Sequence, residues 1–176
     1  MKMMRFFTFF LAQLILSNLT WAAEKTPLTL NGTGIRTATI FAVKVYRGSL
    51  FLEHPSHDAN AIIRSNESKR VEMEFLHKVS ADQMRGAFKE GFENNCKPNC
   101  DALAADLNQL NQMLVDLKVG DSMRFDFLPT KVELRIRGEK VGEITDPPFA
   151  KVLLATWLGP KPPTEDLKAG MLGLSH

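Results

Sequence analysis

Arg36 and Tyr46 are the residues of this chain whose types and surroundings point most directly to chemistry. Both lie within the apolar, β-branched run Ile35 to Leu52. A guanidinium stays protonated under ordinary conditions, so burying it calls for an anionic or strongly accepting partner. A tyrosine hydroxyl is a natural second donor to such a partner. Lys44 stands two residues before Tyr46, which on an unbroken strand places it on the same side. Together the three would bind a carboxylate whose tail enters the apolar interior. The plainer alternative is that Arg36 pairs with one of the protein's own acids and that Tyr46 is ordinary core. Unbroken strand would hold Arg36 and Tyr46 roughly 33 Å apart. A shared site therefore requires the chain to reverse near Thr39 to Ala42, where no glycine or proline marks a turn.

Other reactive groups are few. Cys96 and Cys100 are the only cysteines, in Cys96-Lys-Pro-Asn-Cys100. In an oxidising compartment such a pair reads as a disulfide, with a redox-active pair or two metal ligands as alternatives. Redox motifs normally place two residues between the cysteines, and no nearby histidine completes a metal site. A bridge over so short a loop stabilises modestly, at or below the low end of ~2–4 kcal/mol. His54 and His57 share a loop without a third ligand, His77 follows a strand as a turn residue, and His176 is C-terminal. No metal site is expected. The chain has no GxSxG, HExxH, DxDxDG, GxGxxG or GxxxxGK[ST] motif, and no cofactor is expected.

These residues must be positioned by a small domain behind a leader. Lys2 and Arg5 precede the apolar stretch Phe6 to Leu19 and a small-residue exit at Thr20-Trp21-Ala22-Ala23. That is the pattern of a signal peptide, residues 1–22, cleaved after Ala22. The apolar run is shorter than the roughly 18 residues of a transmembrane anchor, so no membrane span is expected in the cleaved product. Residues 23–176 then form one domain, periplasmic or secreted. Of 22 basic residues the leader removes two, leaving a balance with the 20 acidic ones. An even balance offers no attraction to nucleic acid or an anionic membrane.

Within that domain, Thr29 to Asn31 and Ile35 to Leu52 read as strand, as does Arg70 to Phe75 with Val71, Met73 and Phe75 on one face. Ala59 to Arg64 is a short helix. Ser80 and Gln83 form a capping box for a helix whose apolar face is Met84, Ala87, Phe88 and Phe92. A second helix is expected from about Asp101 to Leu117, striped by Leu103, Leu107, Leu110, Leu114 and Leu117. After Gly120 the period returns to two in a three-stranded antiparallel meander with turns at Pro129-Thr130-Lys131 and Gly138-Glu139. Asp146-Pro147 opens a helix with Phe149, Val152, Leu153 and Trp157 buried, and Thr164 caps a last one near Glu165 to Met171. Strands and helices thus segregate into an α+β fold, an antiparallel sheet backed by helices on one face.

The combination Gly34-Ile-Arg36, Lys44-Val-Tyr46, Leu50-Phe-Leu52, Lys69-Arg-Val-Glu-Met-Glu-Phe-Leu76, Ala87-Phe-Lys-Glu-Gly-Phe92, Gly120-Asp121, Trp157-Leu-Gly-Pro-Lys-Pro162 and Glu165-Asp-Leu-Lys168 resembles the chalcone-isomerase-like family, particularly its exported bacterial branch. The resemblance implies an open-faced sandwich, a curved antiparallel sheet packed on one side by a helical layer, with a ligand cleft between them. The arginine of the plant enzymes' Gly-Val-Arg matches Arg36. The place of their water-ordering strand threonine holds Tyr46. Their helix tyrosine and asparagine fall near Met84 and Gly91, and a terminal-helix threonine or serine falls near Ala150. Of that set only the arginine is kept, which speaks against flavonoid cyclisation. The arginine–tyrosine combination instead resembles the plastid fatty-acid-binding members, in which such a pair holds a carboxylate.

Three functions follow as expectations. The first is a non-catalytic protein binding a small amphipathic fatty or aromatic acid through Arg36, Tyr46 and Lys44, with Phe88 and Phe92 around the tail. The second is an intramolecular lyase on a phenolic or unsaturated substrate, with Arg36 and Tyr46 as its catalytic groups. The third is a structural or interaction protein with a filled cleft. In a eukaryotic secretory pathway Asn31-Gly-Thr33 and Asn66-Glu-Ser68 would fit the glycosylation acceptor pattern.

Overall fold

Period-two hydrophobicity builds the sheet. The computed structural model describes residues 26–38 and 42–174. The expected leader, residues 1–22, lies outside the described residues, as do residues 39–41. Strands β1 (Thr29–Ala38), β2 (Val43–Leu52), β3 (Lys69–Phe75), β4 (Ser122–Leu128), β5 (Lys131–Ile136) and β6 (Glu139–Ile144) lie side by side in chain order. Each is antiparallel to the next. Residues opposite one another share a face, so Leu50, Val71, Phe75, Met123, Phe125 and Leu134 gather in one buried surface. The other face carries charge. Asp126 there accepts from Arg70 Nε at 2.7 Å and from Arg124 Nε at 2.8 Å. Only the apolar face can bury helices.

Five helices cover that face: α1 (Ala59–Arg64), α2 (Ala81–Asn95), α3 (Ala104–Met113), α4 (Pro147–Leu158) and α5 (Glu165–Met171). Side-chain caps start all of them except α3. Ser80 Oγ accepts from the Gln83 amide at 3.2 Å while Gln83 Oε1 accepts from the Ser80 amide at 2.9 Å, closing the capping box of α2. Asp146 Oδ1 accepts from the Phe149 amide at 2.7 Å, and Thr164 Oγ1 from the Leu167 amide at 3.2 Å. Each cap pairs an amide the helix leaves orphaned, worth ~1 kcal/mol. Helix α4 is buried at nearly every position from Phe149 to Leu158, as a helix must be when it is apolar all round. It packs on the sheet and against α1 and α2. Trp157, near its end, meets Phe88 of α2 and Phe125 of β4 with ring centroids 5.8 and 5.4 Å away.

The helix expected from Asp101 to Leu117 is shorter. A single 3₁₀ turn, Asp101–Leu103, leads into α3, which ends at Met113. Leu114 is already extended, and Leu117 exchanges two 2.9 Å backbone hydrogen bonds with Val79. The leucine stripe stays buried apart from the half-buried Leu107, but its last backbone groups pair with the entry to α2 instead of continuing a helix. Arg85 donates to the carbonyls of Asn111 and Leu114 at 3.0 and 3.2 Å, which satisfies the frayed end. Cys96 and Cys100 are joined as a disulfide, with Cα atoms 4.9 Å apart, between α2 and the 3₁₀ turn.

Helix α5 lies on β1 and β2 through glycine. A Cβ on Gly34 would fall 2.4 Å from the Leu167 carbonyl oxygen and 2.8 Å from Leu167 Cα. A Cβ on Gly170 would fall 2.5 Å from Gly34 Cα. Strand and helix therefore touch backbone to backbone. Asn31 clasps the end of this contact: its Nδ2 donates to the carbonyls of Ser56 and Met171, both at 3.0 Å, and its Oδ1 accepts from the Ser56 amide at 2.8 Å.

Candidate ligand-binding site

The reversal that a shared site requires is present. Ala38 pairs with Val43, and Arg36 stands directly opposite Tyr46. Directly opposed residues share a face with Cβ atoms about 4.5–5.5 Å apart. The rung beyond them is irregular, because Arg36 pairs with Tyr46 but Thr37 pairs with Lys44, leaving Val45 as an extra residue in β2. The Val45 carbonyl accepts from the amides of both Leu76 and His77, at 2.9 and 3.2 Å, where the chain leaves β3. This bulge turns Val43, Val45 and Tyr46 all toward the helices. It also corrects the placement of Lys44. The period-two count assumed an unbroken strand, whereas the extra residue puts Lys44 with Thr37 on the opposite face, exposed to solvent.

Arg36 and Tyr46 line a cleft of about 600 Å³ between the sheet and α2, with the end of α4 as a further wall. Its lining is mostly apolar, including Val45, Met73, Phe75, Met84 and Phe88. On α2 the small residues Gly86, Ala87 and Gly91 leave it open, so Ala87 faces the cleft and not the core. Phe92, expected around a ligand tail, instead packs on Phe149 at 6.1 Å and does not line the cleft. His77, Lys78 and Lys161 also border it, against a single acid, Glu90.

The two polar groups differ in their surroundings. Among the described residues the Arg36 guanidinium has no ion pair and no side-chain hydrogen bond, so none of their acids neutralises it. Tyr46 is buried, and its Oη accepts from Trp157 Nε1–H at 3.2 Å. Burial pushes its pKa up to about 12, against the opposing pull of the Arg36 charge and the Trp157 hydrogen bond. Tyr46 is the chain's only tyrosine, so phenolate absorbance reads it alone. The native protein should show no phenolate until the pH nears 12, whereas the unfolded chain should ionise near 10. A raised phenol pKa contributes stability that is complete below pH 10 and is lost as the pH climbs toward 12. Native ionisation with an ordinary midpoint near 10 would contradict this burial.

Met84 and Gly91 line the cleft where the resemblance placed the plant enzymes' tyrosine and asparagine, and neither carries a group able to move a proton. Ala150 lies away from it, beside Lys69 and Lys151. The hydroxyl that α4 does bring to the cleft is Thr156, which donates to the Leu153 carbonyl at 2.7 Å. His54 and His57 diverge. The first meets Glu67 at 3.0 Å beside Glu53 on an exposed surface, and the second is hydrogen-bonded to the Leu172 carbonyl.

No curated protein sequence matches the chain significantly. Among solved structures, a fatty-acid binding protein of Arabidopsis thaliana superposes with a TM-score of 0.70 at 13% identity, covering 82% of this chain and 86% of that one. At that identity the likeness is one of fold, and it matches the six-stranded antiparallel sheet with its one-sided helical layer. The sequence profile described as chalcone isomerase-like matches residues 15–173. The chain belongs to the chalcone isomerase-like family.

Proposed function

We propose that this protein is an exported, non-catalytic binding protein for a small amphipathic carboxylic acid, a fatty or aromatic acid, held in the cleft between sheet and helices. The observation that carries the reading is Arg36. An arginine without an acidic partner among the described residues stands directly opposite a buried phenol in the wall of a mostly apolar cleft. A carboxylate supplies the charge and the acceptors these donors need, and the apolar walls take the tail. A cleft of about 600 Å³ is the size of ordinary small-molecule sites. The fold shared with a fatty-acid binding protein supports the same class of ligand. Export is supported by the leader pattern of residues 1–22 and by the disulfide, a bond that persists in oxidising compartments.

A lyase would need Tyr46 to exchange a proton while Arg36 steadies the developing oxyanion. A phenol pushed up to about 12 keeps its proton at neutral pH and is a poor base there, which favours binding over turnover. Native mass spectrometry of the purified protein, followed by calorimetric titration with long-chain fatty acids and small aromatic acids, tests the reading. One acid per chain is expected. A protein that arrives empty and takes up neither class sinks it.

A further inference from the structure

We infer that Trp157 is a positioning residue of this cleft: its indole N–H makes Tyr46 a one-way donor, so that the site selects an ionised carboxylate over the alcohol of the same chain length. The inference rests on the binding reading above. An indole nitrogen can only donate, and a phenol has one proton to give and lone pairs to receive. At 3.2 Å Trp157 Nε1–H therefore occupies the acceptor side of Tyr46 Oη. Among the described residues nothing accepts the proton that Tyr46 retains. Arg36, across the rung, is likewise a donor with no acceptor capacity.

The Arg36–Tyr46 pair thus offers donors alone. A carboxylate answers it with two oxygens and no proton of its own. An alcohol can receive from Tyr46 or Arg36, but neither group can take the alcohol's proton in return. Unpaired polar groups of this kind are how buried sites discriminate strongly between otherwise similar ligands. The indole is also well suited to hold this direction. It is wedged between Phe88 and Phe125 in the core, so its N–H does not follow the ligand.

The test is a double-mutant cycle read by calorimetry with a long-chain fatty acid and the matching fatty alcohol. Trp157→Phe keeps an aromatic ring and removes the N–H. It should weaken acid binding about 3- to 10-fold, the value of one neutral hydrogen bond, while alcohol binding holds or improves. In a Tyr46→Phe background the same substitution should change acid binding no further, because Trp157 acts through the Tyr46 hydroxyl. A purely packing effect would persist in that background. An acid-to-alcohol ratio unchanged by Trp157→Phe overturns the inference, as does an equal loss in both backgrounds. If Trp157→Phe does not fold, the benzothienyl analogue of tryptophan at position 157 keeps the bicyclic shape without the N–H and takes its place in both arms. Failure of the underlying reading looks different: the unaltered protein then binds no acid at all.

Discussion

Arg36→Ala is expected to lower affinity for a long-chain carboxylate by about 10- to 150-fold, the range of a charge-assisted hydrogen-bonding partner worth ~1.5–3 kcal/mol. The unfolding midpoint should stay where it is. The two halves of this expectation come from one fact, that the guanidinium has no acid to pair with inside the described protein. Removing a residue from an internal ion pair strands a buried charge and destabilises the fold. Removing one whose only complement is a ligand leaves the fold as it was. Tyr46→Phe should weaken acid binding less, since it removes one neutral donor and keeps the ring that meets Phe75 at 5.9 Å. Calorimetry and thermal unfolding of the same two variants decide the matter. A large stability loss in Arg36→Ala with unchanged acid affinity would assign the arginine to the architecture.

Gly34→Ala is expected to destabilise the protein by ~3 kcal/mol or more, the upper end of overpacking effects. Its Cβ would meet the Leu167 carbonyl oxygen at 2.4 Å and Leu167 Cα at 2.8 Å. Both are backbone atoms, so no side chain can rotate away, and α5 has to lift from β1. Gly34 is two residues from Arg36 on the same face of β1, so the shift should weaken acid binding as well. The matched control is Gly86→Ala on α2, where nothing lies within 4 Å of the new methyl. There the helix gains about 0.5–1 kcal/mol, because alanine has less backbone freedom to lose than glycine. Urea unfolding of the pair should give midpoint shifts of opposite sign. A Gly34→Ala protein as stable as the parent would mean that α5 is not seated on β1 as described.

What could be read from the sequence was local. Ser80 with Gln83, Asp146 before Pro147, and Thr164 all cap the helices they announce, because a cap needs only a side chain and an amide a few residues apart. The alternation in β3, β4 and β5 likewise needs no distant partner to be interpreted. The end of α3 escaped because Leu114 and Leu117 are buried whether their backbone is helical or bridged to Val79. Lys44 was misplaced for a related reason. The bulge at Val45 is held by amides of Leu76 and His77, and nothing near Lys44 in the sequence signals them. Trp157 read as plain core, and it is core. Its second role depends on a hydroxyl 111 residues earlier. Thr156 reached the cleft in place of Ala150 because a helix turns its successive faces, and an offset of six residues changes the wall it forms.

The distance between Arg36 and Tyr46 is a property of the sheet, since two residues on one rung are spaced by the hydrogen bonds between their strands. The connection from β1 to β2 has no part in setting it. Variation in the length of that connection among related chains should therefore leave the carboxylate grip intact, whereas gain or loss of one residue at Val45 would turn Tyr46 away from Arg36. In engineering terms the hairpin tip is a site for insertions and the bulge is the register mark that must be kept.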